Sequence, residues 1–247
     1  VPESGAPPRQ GADPMTTDAR TEVLARVRGA SRGAPADSVQ RELASLGTAP
    51  AAEPPATDLA TAFLVNVLRN RGTVDCARNR SEAVKAIGDY LYRQLRSQRL
   101  VAGNDPNLAA MPWRDSGLLP RFGELEPGAP AALSYARLGV AETGAVVTFT
   151  GKGNPAANNL LPEYHIVLVA SGNLVPTMED AWQRIREEMA AAGRPRGINF
   201  IAGPSSTADI EGQLVYGAHG PHSWHVVLMG EEIPAGILER AREIAGP

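Results

Sequence analysis

Three pieces of sequence decide how this chain folds: HIVLVA at 165–170, TMEDAWQRIREEM at 177–189 and INFIA at 198–202. The two outer runs lack polar alternation, so each reads as a strand buried on both faces, the habit of parallel sheets. Between them, Thr177 and Asp180 make a Thr-x-x-Asp helix start. Met178, Trp182, Ile185 and Met189 share one helical face, and Gly193 with Pro195 stops the helix. Strand, helix and strand in that order read as a βαβ unit with a right-handed crossover. The pattern predicts an α/β protein with a mainly parallel sheet flanked by helices.

Working outward, Ala132–Val140 and Ala145–Thr150 read as strands upstream, and His225–Met229 as one downstream. A last helix starts at Pro234 and buries Ile237, Leu238, Ala241 and Ile244. Thr57 can cap a helix that runs to Asn70 with Leu59, Phe63 and Val67 inward, closed by Gly72. A short strand, Thr73–Ala77, follows. Ser81 then caps a helix carrying Val84, Ile87, Leu91 and Leu95. Residues 104–130 hold Pro106, Pro112, Gly117, Pro120 and Pro127, which predicts an ordered surface loop or lid with one short helical turn. Val1–Pro14 has almost no bulky apolar residues and is expected to be disordered, with Met15 a candidate natural start. A short helix over Asp18–Arg28 precedes a linker, Gly33–Pro55, that carries at most one weak helix near Val39–Leu46. The expected organisation is a flexible segment over 1–56 and one domain over 57–247.

Composition narrows the function. The 247 residues carry a net charge of −3, and only Lys85 and Lys152 of the 24 basic residues are lysines. Nucleic-acid binding by phosphate contact needs a cationic face and is not expected. No run approaches the roughly 18 apolar residues of a membrane span. The first residues have no signal-peptide pattern, so a cytoplasmic setting is expected. Cys76 is the single cysteine, which excludes an intrachain disulfide and a four-cysteine iron–sulfur or zinc site. Without haem or dinucleotide motifs, no cofactor is expected, and the purified protein should be colourless.

Candidate chemistry falls in three segments. Gly203-Pro-Ser205-Ser206-Thr207-Ala-Asp209-Ile-Glu211 follows a buried strand, so it lies where open α/β sheets bind ligands. Its hydroxyls and backbone N–H groups, opening a short helix, would form an anion nest, or a Ser or Thr would simply cap that helix. Gly217-Ala-His219-Gly220-Pro-His222-Ser-Trp-His225 holds three of the four histidines. The Gly220-Pro221 turn points the rings apart, so no metal is expected. His219, between glycines, is the candidate functional imidazole. Val140-Ala-Glu142-Thr143-Gly144 sets a carboxylate at a strand junction, as a base or nucleophile or as a solvated turn residue. Lys152, in a Gly-Lys-Gly-Asn loop, can reach an anion or stay solvated. Pro162 and His165 lead into a strand.

These motifs, with Leu161-Pro162-x-x-His165-Ile-Val and Val175-Pro176-Thr177, occur in the order and spacing of the LUD domain. The chain resembles the lactate utilization protein C family, LutC/YkgG, over about Val140–Met229. The resemblance implies a sandwich similar to the NagB/RpiA/CoA-transferase class. It also implies a part in L-lactate oxidation to pyruvate beside two iron–sulfur proteins, and Cys76 alone fits a cluster-free member. A free-standing enzyme on an acyl-CoA or sugar phosphate, or a non-catalytic regulatory subunit, are the alternatives. If the sheet is parallel, Glu142 and His219 (catalytic) and Thr143, Gly144, Gly203, Ser205, Ser206, Thr207, Asp209 and Gly220 (ligand-binding) should converge at its carboxyl edge. That set suits a small carboxylate such as lactate or pyruvate, with Asp209 orienting His219 or capping amides.

Overall fold

The computed structural model describes residues 17–30, 33, 35–47, 52–53, 55–210 and 213–246. The disorder expected of Val1–Pro14 therefore lies outside the described residues, as does Glu211. The chain divides into two units, Val1–Pro50 and Ala51–Pro247. In the first, α1 (Thr17–Ala30) and α2 (Ala36–Ser45) are helical, and Val23, Val27, Val39 and Leu43 are exposed.

The second unit opens with α3 (Leu59–Arg69), whose cap is Asp58, one residue beyond the expected Thr57; its carboxylate accepts from Thr61 N at 2.9 Å. After β1 (Thr73–Ala77), α4 (Arg80–Leu95) is capped by Asn79 rather than Ser81, again by a side chain accepting from the third residue on. Asp and Asn outrank Thr and match Ser as caps, and here they sit where the chain leaves extended geometry. Next come β2 (Val101–Ala102), α5 (Pro106–Ala109), a 3-10 turn at Trp113–Ser116, and β3 (Arg121–Phe122). This stretch is no lid. Leu108, Met111, Trp113 and Leu118 are buried in the core under α4, and Trp113 Nε1 donates to Leu108 O at 2.7 Å.

The expected strand Ala132–Val140 is two strands, β4 (Ala131–Tyr135) and β5 (Leu138–Val140). Ala136 N still donates to Leu168 O at 2.9 Å, whereas Arg137 N donates to Val147 O at 2.8 Å, so the chain changes sheets within one residue. Then follow β6 (Val146–Thr150), α6 (Ala156–Leu160), β7 (Tyr164–Ala170), β8 (Leu174–Val175) and α7 (Met178–Ala192). The last elements are β9 (Gly197–Ile201), β10 (Ser206–Ile210), β11 (Gln213–Tyr216), β12 (Ser223–Met229) and α8 (Ile237–Ala245). The final helix thus starts three residues after Pro234.

Among the described residues a six-stranded parallel sheet runs β1-β12-β7-β4-β2-β3, and a mixed sheet runs β8-β5-β6-β9. The parallel, helix-flanked architecture is as the sequence predicts. The βαβ unit is not. β7 belongs to the parallel sheet, while β9 pairs antiparallel with β6, from Val146↔Ile201 to Thr150↔Gly197. β9 is also half-buried throughout, at the edge of the mixed sheet, and not buried on both faces as its sequence predicts, because an apolar run does not name its partner strand or its place in a sheet.

β7 and β12 have five buried residues in a row because both faces are covered. Ile166, Leu168 and Val227 pack with Ile87 and Leu91 of α4. Val167, Trp224, Val226 and Leu228 pack with Phe63 and Val67 of α3 and Ala241 of α8. Each such large side chain contributes about 2 kcal/mol. Val140, Val147, Ala181 and Ile185 form a third cluster where α7 covers the mixed sheet.

Candidate functional site

The turn between β5 and β6 is built by Gly144, which sits at φ +70° and returns its N–H to Val140 O at 2.8 Å. A Cβ there would stand 2.6 Å from the backbone of Asn66 and Val67, so only glycine lets the turn lie against α3. Asn66 Nδ2 donates to Ala141 O (2.8 Å) and Glu142 O (3.0 Å), and Asn70 Nδ2 donates to Thr143 O (2.7 Å). Two asparagines four residues apart at the end of one helix thus hold three consecutive carbonyls. Gly203, at φ +115°, presses on the same helix end: a Cβ would lie 2.5 Å from Asn70 O. Sequence reasoning missed Asn66 and Asn70, whose partners lie more than seventy residues further along the chain.

Glu142 is exposed, yet its carboxylate is engaged. Oε2 accepts from Met178 N at 3.0 Å, in the first turn of α7, where backbone N–H groups lack intrahelical partners. Glu142 N donates to Pro176 O at 3.0 Å. Thr177 and Asp180 complete the capping box predicted from sequence. Thr143 Oγ1 accepts from Ala145 N at 3.2 Å and lies 3.9 Å from Met178 Sδ. Glu142, Thr143, Gly144 and Gly203 are therefore brought together, at the end of the mixed sheet where β5, β8 and β9 finish.

Ser205 opens a second group. Its N–H donates to Pro221 O and its carbonyl accepts from Gly217 N, both at 2.8 Å. A Cβ on Gly220 would lie 3.2 Å from Ser205 Oγ, and one on Gly217 would lie 2.7 Å from His222 Cβ. Close backbone approach explains these glycines. The helix start expected after Gly203 is absent: β10 and β11 form an antiparallel hairpin, Ser206↔Tyr216 and Thr207↔Val215, with a bulge before Ile210↔Gln213. Ser206, Thr207 and Asp209 lie along a strand, where successive side chains alternate in direction, so they make no nest. The side chain of Asp209 is outside the described residues, and with it the expected role toward His219. His219 and His222 are exposed.

The edge is also corrected. The loop Gly217–His222 enters β12 from its amino end, where Ser223 N donates to Glu163 O at 3.0 Å ahead of β7. Ser205, His219 and Gly220 thus sit at the amino edge of the parallel sheet, opposite the edge predicted. The two groups meet through α3 and its exit. Asn70 touches Thr143 and Gly203, and the Arg71 guanidinium lies 4.4 Å over the Tyr216 ring, beside Gly217. Among the described residues no hydrogen bond joins His219 to Glu142 or Ser205.

The other two histidines are core residues. His165 is fully buried on β7, with Nε2 3.2 Å from Ser134 Oγ. His225 stacks on Tyr90 with ring centroids 3.9 Å apart, and its Nδ1 is 2.9 Å from Thr73 Oγ1. Burial pushes both imidazoles down to about 3. Asp75 Oδ2 approaches His225 Nε2 at 3.5 Å, but a neutral ring makes this no ion pair; Asp75 pairs with Arg93 at 3.2 Å. Among the described residues no three His, Cys, Asp or Glu side chains gather to hold a metal, and no helix is long and apolar enough to cross a membrane.

The sequence profile of the LUD domain matches residues 128–229, which contain both groups. The chain is 31% identical to lactate utilization protein C of Halalkalibacterium halodurans over 173 residues, covering 64% of this chain and 75% of that protein. It is 29% identical to lactate utilization protein C of Bacillus subtilis, covering 68% and 79%. A crystal structure of a DUF162 family protein from Deinococcus radiodurans shares the fold, with a TM-score of 0.55 at 20% identity, covering 71% of this chain and 100% of that one.

Proposed function

This chain belongs to the LutC/YkgG family of LUD-domain proteins, and from that premise we propose that it is a component of an L-lactate utilization system. The observation that carries the reading is the match to lactate utilization protein C over three quarters of that protein's length. The system oxidises L-lactate to pyruvate in the cytoplasm, removing two electrons and two protons, one hydrogen from the hydroxyl-bearing carbon and one from its hydroxyl. Iron–sulfur partner proteins take the electrons, since this chain's single cysteine cannot hold a cluster. A small carboxylate binds beside Ser205 and Gly220, with His219 as the orienting imidazole. Thr143, Gly144 and Gly203 shape the adjoining wall, with Glu142 at its rim.

One observation favours a second reading, a non-catalytic subunit: the Glu142 carboxylate already caps α7 and the carbonyls of its turn are taken by Asn66 and Asn70. Deleting the gene in a strain without paralogues tests the main proposal. Growth on L-lactate should fail while growth on glucose persists, and normal growth on lactate overturns it. Co-purification of iron–sulfur proteins supports the partner assignment, and turnover by the isolated chain argues instead for a free-standing enzyme.

A further inference from the structure

The outer side of β9 carries an unpaired row of backbone groups. β9 ends the mixed sheet, and among the described residues only β6 pairs with it. Ala145 O and Val147 O accept from Val140 N and Arg137 N, each at 2.8 Å, so these two residues turn toward β5. Successive residues of an antiparallel strand bond to opposite sides. Val146, Thr148 and Thr150 therefore serve β9, where they meet Ile201, Asn199 and Gly197. The N–H and C=O of the intervening Ile198 and Phe200 point away from β6, off the edge of the sheet.

Such an edge is a template for another strand unless something blocks it. The other edges of the two large sheets are blocked: β3 and β8 are two residues long, and β1 carries the Asp75 carboxylate at its centre. β9, Gly-Ile-Asn-Phe-Ile, has no charged residue and no proline, and its register with β6 is regular over all five residues. Ile198 and Phe200 share the face covered by α7. There Trp182, 40% exposed, lies against Phe200 with ring centroids 5.1 Å apart. Glu179 and Arg186, both exposed, flank Trp182 on the two sides along the helix.

We propose that β9 pairs antiparallel with β9 of a second copy of this chain, about a two-fold axis at Asn199, joining the two mixed sheets into one. The strand is self-complementary about that point. Ile198 of each copy meets Phe200 of the other, which pairs the very residues whose backbone groups face outward, and Gly197 meets Ile201. No like charges stand opposite one another, whereas the same operation on β1 would set Asp75 against its own copy. The axis leaves both α7 helices on one face and antiparallel, so the Glu179 side of one faces the Arg186 side of the other. The two Trp182–Phe200 pairs come to the axis as the aromatic centre of the contact. A two-fold contact uses the edge of each copy and closes at a dimer. Its register also sets Arg196 of the second copy opposite Ala202, one residue before Gly203 of the motif wall. The inference does not rest on the lactate reading, since it concerns association and not growth.

Sedimentation velocity and amide hydrogen exchange of the full chain over a concentration series test it. The protein should sediment at twice the 26.0 kDa of one copy. Exchange at the Ile198 and Phe200 N–H groups should slow as the dimer forms. Ile198→Lys and Ile198→Glu each set like charges beside the axis and should weaken association roughly ten-fold or more, without changing the circular dichroism spectrum. Mixed in equal amounts, the two variants should recover the mass of the dimer, because opposite charges then meet. Should a variant misfold, exchange in the parent decides. The proposal is overturned if the chain sediments as a monomer, if a dimer forms whose Ile198 and Phe200 amides exchange as freely as in dilute solution, or if both folded variants associate as the parent does.

Discussion

Asn70 holds Thr143 from one side and excludes a side chain at Gly203 on the other: its Nδ2 donates to Thr143 O at 2.7 Å, and its own carbonyl lies 2.5 Å from where a Cβ of residue 203 would be. One residue at the end of α3 therefore fixes two separate motif segments relative to each other. Replacing Asn70 with Ala removes a part-buried donor and should cost about 1 to 2 kcal/mol in urea denaturation. Unchanged stability would show that the Glu142–Gly144 turn holds its place without this hydrogen bond.

Gly144 and Gly203 leave less latitude. Alanine at either must adopt positive φ and collide with the backbone of α3, so Gly144→Ala and Gly203→Ala should each lose about 2 kcal/mol or more. In a domain of this size that lowers the melting temperature by roughly 5 °C. Gly151→Ala meets open space at negative φ and should be close to neutral by the same measurement.

Acid should destabilise the fold through its buried histidines. His165 and His225 are held neutral at a pKa of about 3, whereas an unfolded histidine titrates at about 6.5. The unfolded chain thus binds more protons between these values. The stability these residues contribute is complete above about pH 6.5 and is lost progressively as the pH falls toward 3. Urea midpoints measured from pH 7.5 down to 4.5 should fall, and His165→Gln should flatten that slope. An equally steep slope in the variant would contradict the assignment for His165.

Cys76 should be a poor nucleophile in the folded protein. Burial and the neighbouring Asp75 push its thiol up to about 12, so almost none is thiolate at pH 8. Alkylation by iodoacetamide should be slow in buffer and fast in denaturant. Rapid labelling of the native chain would show that the environment of β1 opens readily.

The proposed lactate role predicts that His219→Ala and Ser205→Ala impair growth on L-lactate while leaving the amount of folded protein unchanged. His219 is exposed and carries no structural hydrogen bond among the described residues, so its loss should not affect folding. Full growth by both variants would leave these positions a purely structural part in the turn.

Several features could be read directly from the sequence because they depend on neighbours in the chain. Thr177 and Asp180 form their capping box within four residues, and the unbroken apolar runs at 165–170 and 225–229 require burial on both faces whatever covers them. The glycines of the motifs likewise announced tight backbone geometry. The sequence did not say which strands pair. INFIA at 198–202 is as apolar as a parallel strand, yet it lies antiparallel to β6, because hydrophobic burial rewards area and is indifferent to direction. The same limit misplaced the site. Whether His219 precedes a strand at the amino or carboxyl edge depends on the sheet order β1-β12-β7-β4, set by contacts between residues far apart in sequence. Asn66 and Asn70 acquire their role only because the turn at Gly144 returns to α3 more than seventy residues later, a relation of tertiary packing that no local pattern contains.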